Sequence, residues 1–252
     1  MMIEKKMREG CNIMYIEDIN INQTHILLKC DVRYDIKPQI LKDQQIIQNT
    51  IDQHPEFMNY TPIKLESNDK IINMMIESST QADVGPMATV AGSISEDILN
   101  HLKKHNMKNI IVENGGDIAL KTTKKSIMSL YAGDKNPFSY KIGFKIKNKP
   151  HGYGICTSAN IGSSHSLGLT DATVVFSRKC SLSDALATRI ANSGTGTQKD
   201  EIIQNALECA DNYKDKYDGV VVIKDDLIAK VGHIPDIVSI EDVKNKYETI
   251  IV

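Results

Sequence analysis

"IIVENGGDIAL", residues 110–120, decides how this chain folds. Two apolar runs meet across Gly115 and Gly116, with Glu113 and Asn114 before the glycines and Asp117 after them. Paired glycines reach positive φ without a Cβ clash, so the first reading is two antiparallel strands joined by a tight turn. A bare turn does not call for three polar side chains at one corner. The second reading is that the missing Cβ atoms let a ligand approach the main chain while Asp117 accepts from a hydroxyl or ring N–H.

Outward from the turn, short strand-like runs continue to about residue 177, in "SIMSLYAG", "YKIGFKIK", "GYGICTSA" and "ATVVFSR". The chain opens with two more, "CNIMYIED" and "HILLKCDVRYD", joined by the polar "NINQT", which predicts an antiparallel pair. Helical spacing marks residues 41–53 and 69–79, and Ile71, Ile72, Met75 and Ile76 give the second of these an apolar face, with the methionines as core filler. After Gly85 and Pro86 a helix is predicted at 93–106, its start marked by the capping-box spacing of Ser93 and Glu96. Two further helices, "SLSDALATRIAN" and "KDEIIQNALECADNY", precede "GVVVIKDDLIAKVG", a hairpin turning at Asp225 and Asp226. Strand pairs broken by helices, without regular alternation, predict an α+β fold of mainly antiparallel sheets with helices packed on them. No linker or repeat divides residues 1–252, so one domain is expected.

The composition of the 252 residues, 41% hydrophobic and 25% charged, is that of a soluble globular chain. Thirty basic residues against 32 acidic ones leave no basic tract, which argues against a nucleic-acid partner. No apolar stretch reaches membrane-spanning length, and "MMIEKKMREG" is too charged for the core of a secretion signal. Five scattered cysteines, Cys11, Cys30, Cys156, Cys180 and Cys209, read as reduced cytoplasmic thiols. An exposed sheet edge would allow a homo-oligomer, though no residue selects one.

Beyond the glycine turn, four places carry candidate chemistry. Asp184 and Thr188 in "SDALAT" are one helical turn apart, and a carboxylate beside a hydroxyl suits Mg²⁺ rather than a soft metal. The same helix start also has capping-box spacing, Ser181 to Asp184, which needs no ligand. "TSANIGSSHSLGLTD", residues 157–171, offers small hydroxyl residues, Thr157 and Ser158 first among them, free backbone N–H groups for an anion, and His165 as a phosphate donor or acid–base group. Turns in a surface loop use the same residue types. "NSGTGTQKD" lacks a full phosphate-loop pattern and reads as a connector in which Thr197 and Asp200 cap the next helix. His101 and His105 have the spacing of zinc-binding helices, but Lys103 and Lys104 beside them favour a solvated face.

Taken in order, "GPMATVAG", "VENGGDIA", a "TSA" segment followed by His165, and "SDALATRIAN" resemble the ApbE superfamily, the flavin transferases that move FMN from FAD onto protein threonine or serine. The three long motifs are most similar to its UPF0280 relatives, over residues 80–192 most clearly. The resemblance implies a small-molecule ligand, FAD or FMN, held with Mg²⁺. Asp184 and Thr188 would be the metal ligands, with a main-chain carbonyl near Ile94. Gly115, Gly116, Asp117, Thr157 and Ser158 would contact the cofactor, and His165 would be catalytic. Two family words are missing: "VAGSI" replaces a Lys-Gly-Tyr-Ala-like word, and only "SLGLTD" stands where transferases carry Asp-Pro-x-Thr-Gly. Two functions follow, a Mg²⁺-assisted transferase or hydrolase acting on a flavin- or nucleotide-like pyrophosphate, or a non-catalytic accessory or ligand-binding protein of anaerobic sulfur assimilation towards homocysteine.

Overall fold

The polar "NINQT" segment does reverse the chain, through Asn22 at φ 54°. Tyr15–Ile21 (β1) and Thr24–Cys30 (β2) pair antiparallel on either side of it, Ile19 opposite Ile26. These and all later elements come from a computed structural model that describes residues 14–159, 167–243 and 248–251, the last four as backbone.

Lys37–Gln53 (α1) begins earlier than its apolar spacing predicts, because Pro38 in its first turn has the fixed φ a helix start needs. Lys70–Ala82 (α2) buries Ile71, Ile72 and Met75, as expected of core filler. Pro86–Thr89 forms a single 3-10 turn, and Val90–Lys103 (α3) follows directly. The predicted cap at Ser93 is therefore a correction. Ser93 lies buried inside the helix, and Glu96 turns to another element.

Ile110–Asn114 (β3) and Asp117–Thr122 (β4) form the predicted hairpin, with Asn114 opposite Asp117. Gly115 and Gly116 have φ of 60° and 102°, so both central residues of the turn need the left-handed freedom of glycine. Ser126–Ser129 (β5), Ile142–Ile146 (β6), Lys149–Ser158 (β7) and Ala172–Ser177 (β8) come next, then Cys180–Ser193 (α4) and Lys199–Asp211 (α5). Gly219–Lys224 (β9) and Leu227–Gly232 (β10) turn at Asp225 and Asp226 as predicted. Asp236–Ser239 (β11), Ile240–Val243 (α6) and Glu248–Ile251 (β12) close the chain.

Two sheets result, an eight-stranded one in the order β1-β2-β3-β4-β7-β8-β9-β10 and a four-stranded one in the order β11-β6-β5-β12. Every pairing is antiparallel except β5 with β12. Alternation along the strands sends side chains to opposite faces of the large sheet. On one face Ile26, Val112, Cys156, Val175 and Val220 meet the apolar stripes of the helices, Ile98 and Leu186 included. On the other, Ile118, Ile155, Val174, Phe176 and Val221 pack on Met128, Phe144 and Ile146 of the small sheet. The large sheet is thus covered on both sides, helices on one and a second sheet on the other. No helix among the described residues is long and apolar enough to cross a membrane.

Candidate functional site

Asn114 and Asp117, on either side of the β3–β4 turn, face the helix side of the large sheet and meet the start of α3, whereas Glu113 alternates to the other face. Asn114 Nδ2 donates to the Ala91 carbonyl at 3.3 Å, and Ser95 Oγ donates to the Asp117 carbonyl at 3.0 Å. Across α3 stands α4, and the Gly92 N–H donates to Asp184 Oδ2 at 2.8 Å. Glycine is required there. A Cβ on Gly92 would come within 2.7 Å of the Asp184 Cβ and 2.8 Å of the Cys180 carbonyl oxygen. The glycine at this point of "VAGSI" is what lets the two helices close around the carboxylate.

Asp184 does not cap its own helix, which is a second correction. The N-terminus of α4 is instead capped from α3, where Glu96 Oε2 accepts from the Ser181 N–H and the Ser181 Oγ, both at 2.9 Å. Ser78 Oγ of α2 donates to Ser181 Oγ at 2.9 Å, which fixes the same turn from a third helix. The third capping box fails for a similar reason: the Thr197 N–H donates to Glu201, one residue beyond Asp200, at 2.8 Å.

Asp117 is only 8% exposed, and its carboxylate receives the Thr157 N–H, with the Cys156 thiol in reach. Burial pushes its pKa well above the usual carboxylate range, and the charge of Asp184 pushes it further. Burial likewise raises Asp184 to about 7, against the pull of the Gly92 N–H. Glu113 is raised by burial too, although the Gly116 N–H bonds to it. A positive charge bound between these two carboxylates would favour their ionised forms. The surrounding chemistry fits a hard cation, since carboxylate, hydroxyl and main-chain oxygens are the available donors. Among the described residues no three His, Cys, Asp or Glu side chains gather as a metal cluster, so a cation here would take two carboxylates and complete its shell from other oxygens.

The structure therefore brings Gly115, Gly116 and Asp117 together with Asp184 at the junction of α3, α4 and the sheet. Thr188 lies one turn further along α4, partly exposed. Ser158 is buried two residues beyond Cys156, on the same face as Asp117. Thr157 is different. It pairs with Val174, so its side chain points to the second-sheet face, where Oγ1 is buried without a partner, and only its main-chain N–H serves the site. His165 lies outside the described residues.

Several participants escaped the sequence reading. Gly92, Ser95 and Glu96 sit in a stretch whose spacing suggested only a helix start, and a glycine inside that helix was the available signal. Cys156 and Cys180 are buried with their sulfurs 3.5 Å apart, directly behind Asp117, which their wide separation in sequence conceals. His101 and His105 do not simply face solvent, because Tyr34 packs against both rings.

Beside the carboxylates opens a cleft of about 740 Å³ bounded by α1, the β1–β2 turn and the start of α3. It shares Ala91 and Asn114 with the site and carries amide side chains, Gln44, Gln45 and Gln48 among them, against an apolar wall that includes Met58, Met87 and Ile94. None of the described residues that line it is charged.

A family model described as AbpE bacteria matches residues 18–227. A UPF0280 protein of Methanosphaera stadtmanae is 50% identical over 240 residues, which are 94% of this chain and 98% of that protein. A UPF0280 protein of Methanobrevibacter smithii is 39% identical over 91% of this chain and 98% of its own length. Among solved structures, flavin transferase ApbE from Vibrio cholerae superposes with a TM-score of 0.52 at 12% identity, over 86% of this chain and 96% of that one. The apo form of the Pseudomonas stutzeri flavinyl transferase ApbE gives 0.52 at 9% identity, over 89% and 96%. With the α+β architecture these matches leave one assignment: the chain belongs to the UPF0280 family, and its fold is that of the ApbE proteins.

Proposed function

We propose that the protein binds a flavin- or nucleotide-like phosphate ester together with Mg²⁺. The observation that carries this reading is a pair of neighbouring carboxylates, Asp117 buried and Asp184 partly buried, set beside an amide-lined cleft. Amides offer donors and acceptors to the edge of a heterocycle, the methionines and isoleucine offer contact to its faces, and neither attracts a second phosphate. The phosphates would then lie towards Asp184 and Thr188. A bound Mg²⁺ would supply charge neutralisation for those phosphates. Asp117, at the turn, is placed to accept from a ligand hydroxyl or ring N–H, and the open space around Gly115, where a Cβ would meet nothing within 4 Å, leaves room for that approach. His165 is the acid–base candidate for a transfer step, on the strength of the family resemblance.

Calorimetric titration of FAD into the protein with and without Mg²⁺ tests this. Binding is expected to be saturable and Mg²⁺-dependent, and Asp184→Ala is expected to remove the Mg²⁺ dependence. A variant that binds as the wild type does would end the proposal. The short segment from His165 to Asp171 favours a second reading, in which the ligand is held and not transferred. Mass-spectrometric detection of FMN on a Ser/Thr acceptor peptide would remove that second reading.

A further inference from the structure

Asp97 and His101 are one helical turn apart on α3, and His105 lies two residues beyond the end of that helix, in the turn that follows. Tyr34, from the segment between β2 and α1, lies across the last two. Its hydroxyl is 3.0 Å from Nε2 of His101 and 2.9 Å from Nε2 of His105. A phenol has one proton, so it donates to one imidazole and must accept from the other. Three donor atoms, two nitrogens and one oxygen, thus converge from two separate segments of the chain. The rings stand 5.4 Å apart and tilted by 48°, open enough for an ion to enter where the phenolic proton now sits.

The surroundings remove the objection raised by the two lysines. Lys103 turns away, its Nζ 3.3 Å from Asn100 Oδ1 and beside Gly152 of β7. Lys104 and Lys42 remain as nearby positive charge, and Asp97, held by Gln39 Nε2 at 2.8 Å, opposes them. His105 is exposed, and His101 and Tyr34 are half-buried, so an ion reaches the site from solvent. The phenol oxygen, within 3.0 Å of Nε2 of His101 and 2.9 Å of Nε2 of His105, is the third donor that the geometry offers beside the two nitrogens.

We propose that Tyr34, His101 and His105 form a binding site for a first-row transition ion of the zinc and copper type. Its nitrogen donors make it different in kind from the all-oxygen site at Asp117 and Asp184, and it would discriminate against Mg²⁺. Binding exchanges the phenolic proton, released to solvent, for the ion. It also fastens the β2–α1 segment to the last turn of the helix whose first turn holds Asp184.

The test titrates Cu²⁺, then Zn²⁺, into the full chain in excess Mg²⁺, which occupies the oxygen site. One equivalent of Cu²⁺ is expected to produce a visible phenolate-to-copper band. Tyr34→Phe is expected to abolish that band while leaving weaker binding by the two histidines. His105→Ala, at an exposed position, should fold normally by circular dichroism and weaken Zn²⁺ binding at least as much as the roughly tenfold loss that follows removal of an outer-shell partner. Absence of one-equivalent binding in the wild type overturns the proposal. So does a spectrum unchanged by Tyr34→Phe, or an affinity unchanged by His105→Ala.

Discussion

The two faces of the eight-stranded sheet use alternate residues of the same strands, yet their chemistry differs. One row crosses the sheet as Glu113, Ile118, Ile155 and Phe176, and its three apolar members pack on the small sheet. The neighbouring row crosses it as Ile26, Asn114, Asp117, Cys156 and Val175, with three polar groups at its centre, under the helices. An amide and a carboxylate gain nothing from burial unless they are partnered. Their meeting at the centre of one face, where α3 and α4 converge and bond to them, marks that part of the sheet as bent to a task other than cohesion.

Substitutions that act on one face and spare the other test the contrast. Phe176 meets Phe144 edge to face across the apolar side, centroids 5.1 Å apart. Phe176→Ala is expected to lower unfolding free energy by about 3–5 kcal/mol in denaturant titration. It should leave Mg²⁺-dependent ligand binding of the folded fraction unchanged, and a matching loss of affinity would mean the faces are not independent. Gly92→Ala acts on the helix side. Alanine would ordinarily favour a helix, but here its Cβ meets Asp184 and the Cys180 carbonyl, so a loss of about 1–3 kcal/mol is expected together with weakened binding. A stabilised Gly92→Ala would show that α3 and α4 are not closed around Asp184.

The helix side also predicts how stability depends on pH. Asp43 of α1 is 1% exposed, and burial, with the nearby Asp97, raises it to about 7. Its unfolded value is about 4, so between about pH 4 and about 7 the folded chain binds more protons than the unfolded one. Stability should therefore fall as pH rises through that window and level off above it. Asp43→Asn should reduce the fall, by at most about 1.4 kcal/mol per pH unit. An undiminished slope in chemical denaturation would place Asp43 in an ordinary ionised state. The smallest effect carries the opposite sign to the first. Asp117→Asn removes a buried carboxylate from beside Asp184, so without divalent ions at pH 8 it should raise stability by about 1 kcal/mol and lose any stabilisation by Mg²⁺. A loss as large as that of Phe176→Ala would make Asp117 a structural residue.

How much of this was legible in the sequence depended on how local the cause was. The Gly115–Gly116 turn, the β1–β2 pair and the β9–β10 hairpin were readable because their partners lie a few residues apart. The three capping boxes were not, although each matched its spacing. Pro86 starts a 3-10 turn that carries α3 back to Val90, which buries Ser93 inside the helix. Ser181 takes its acceptor from Glu96 of another helix, α3, and nothing in "SLSD" records that. The pairing of β12 with β5 joins residues whose separation in the chain no local pattern encodes. The site was half legible: Asp117 and Asp184 stood out as carboxylates in suggestive company, whereas Gly92, which lets α3 and α4 meet, fell just outside the predicted helix.

Glu96 has a consequence for how the molecule opens. A helix capped by its own side chain can lose and regain its first turn alone, but the Ser181 amide is bonded to a carboxylate carried by α3. That amide can exchange its hydrogen with solvent only when the two helices part. Ser181 and the interior of α3 should then share one protection factor in native-state hydrogen exchange, as members of a single cooperative unit.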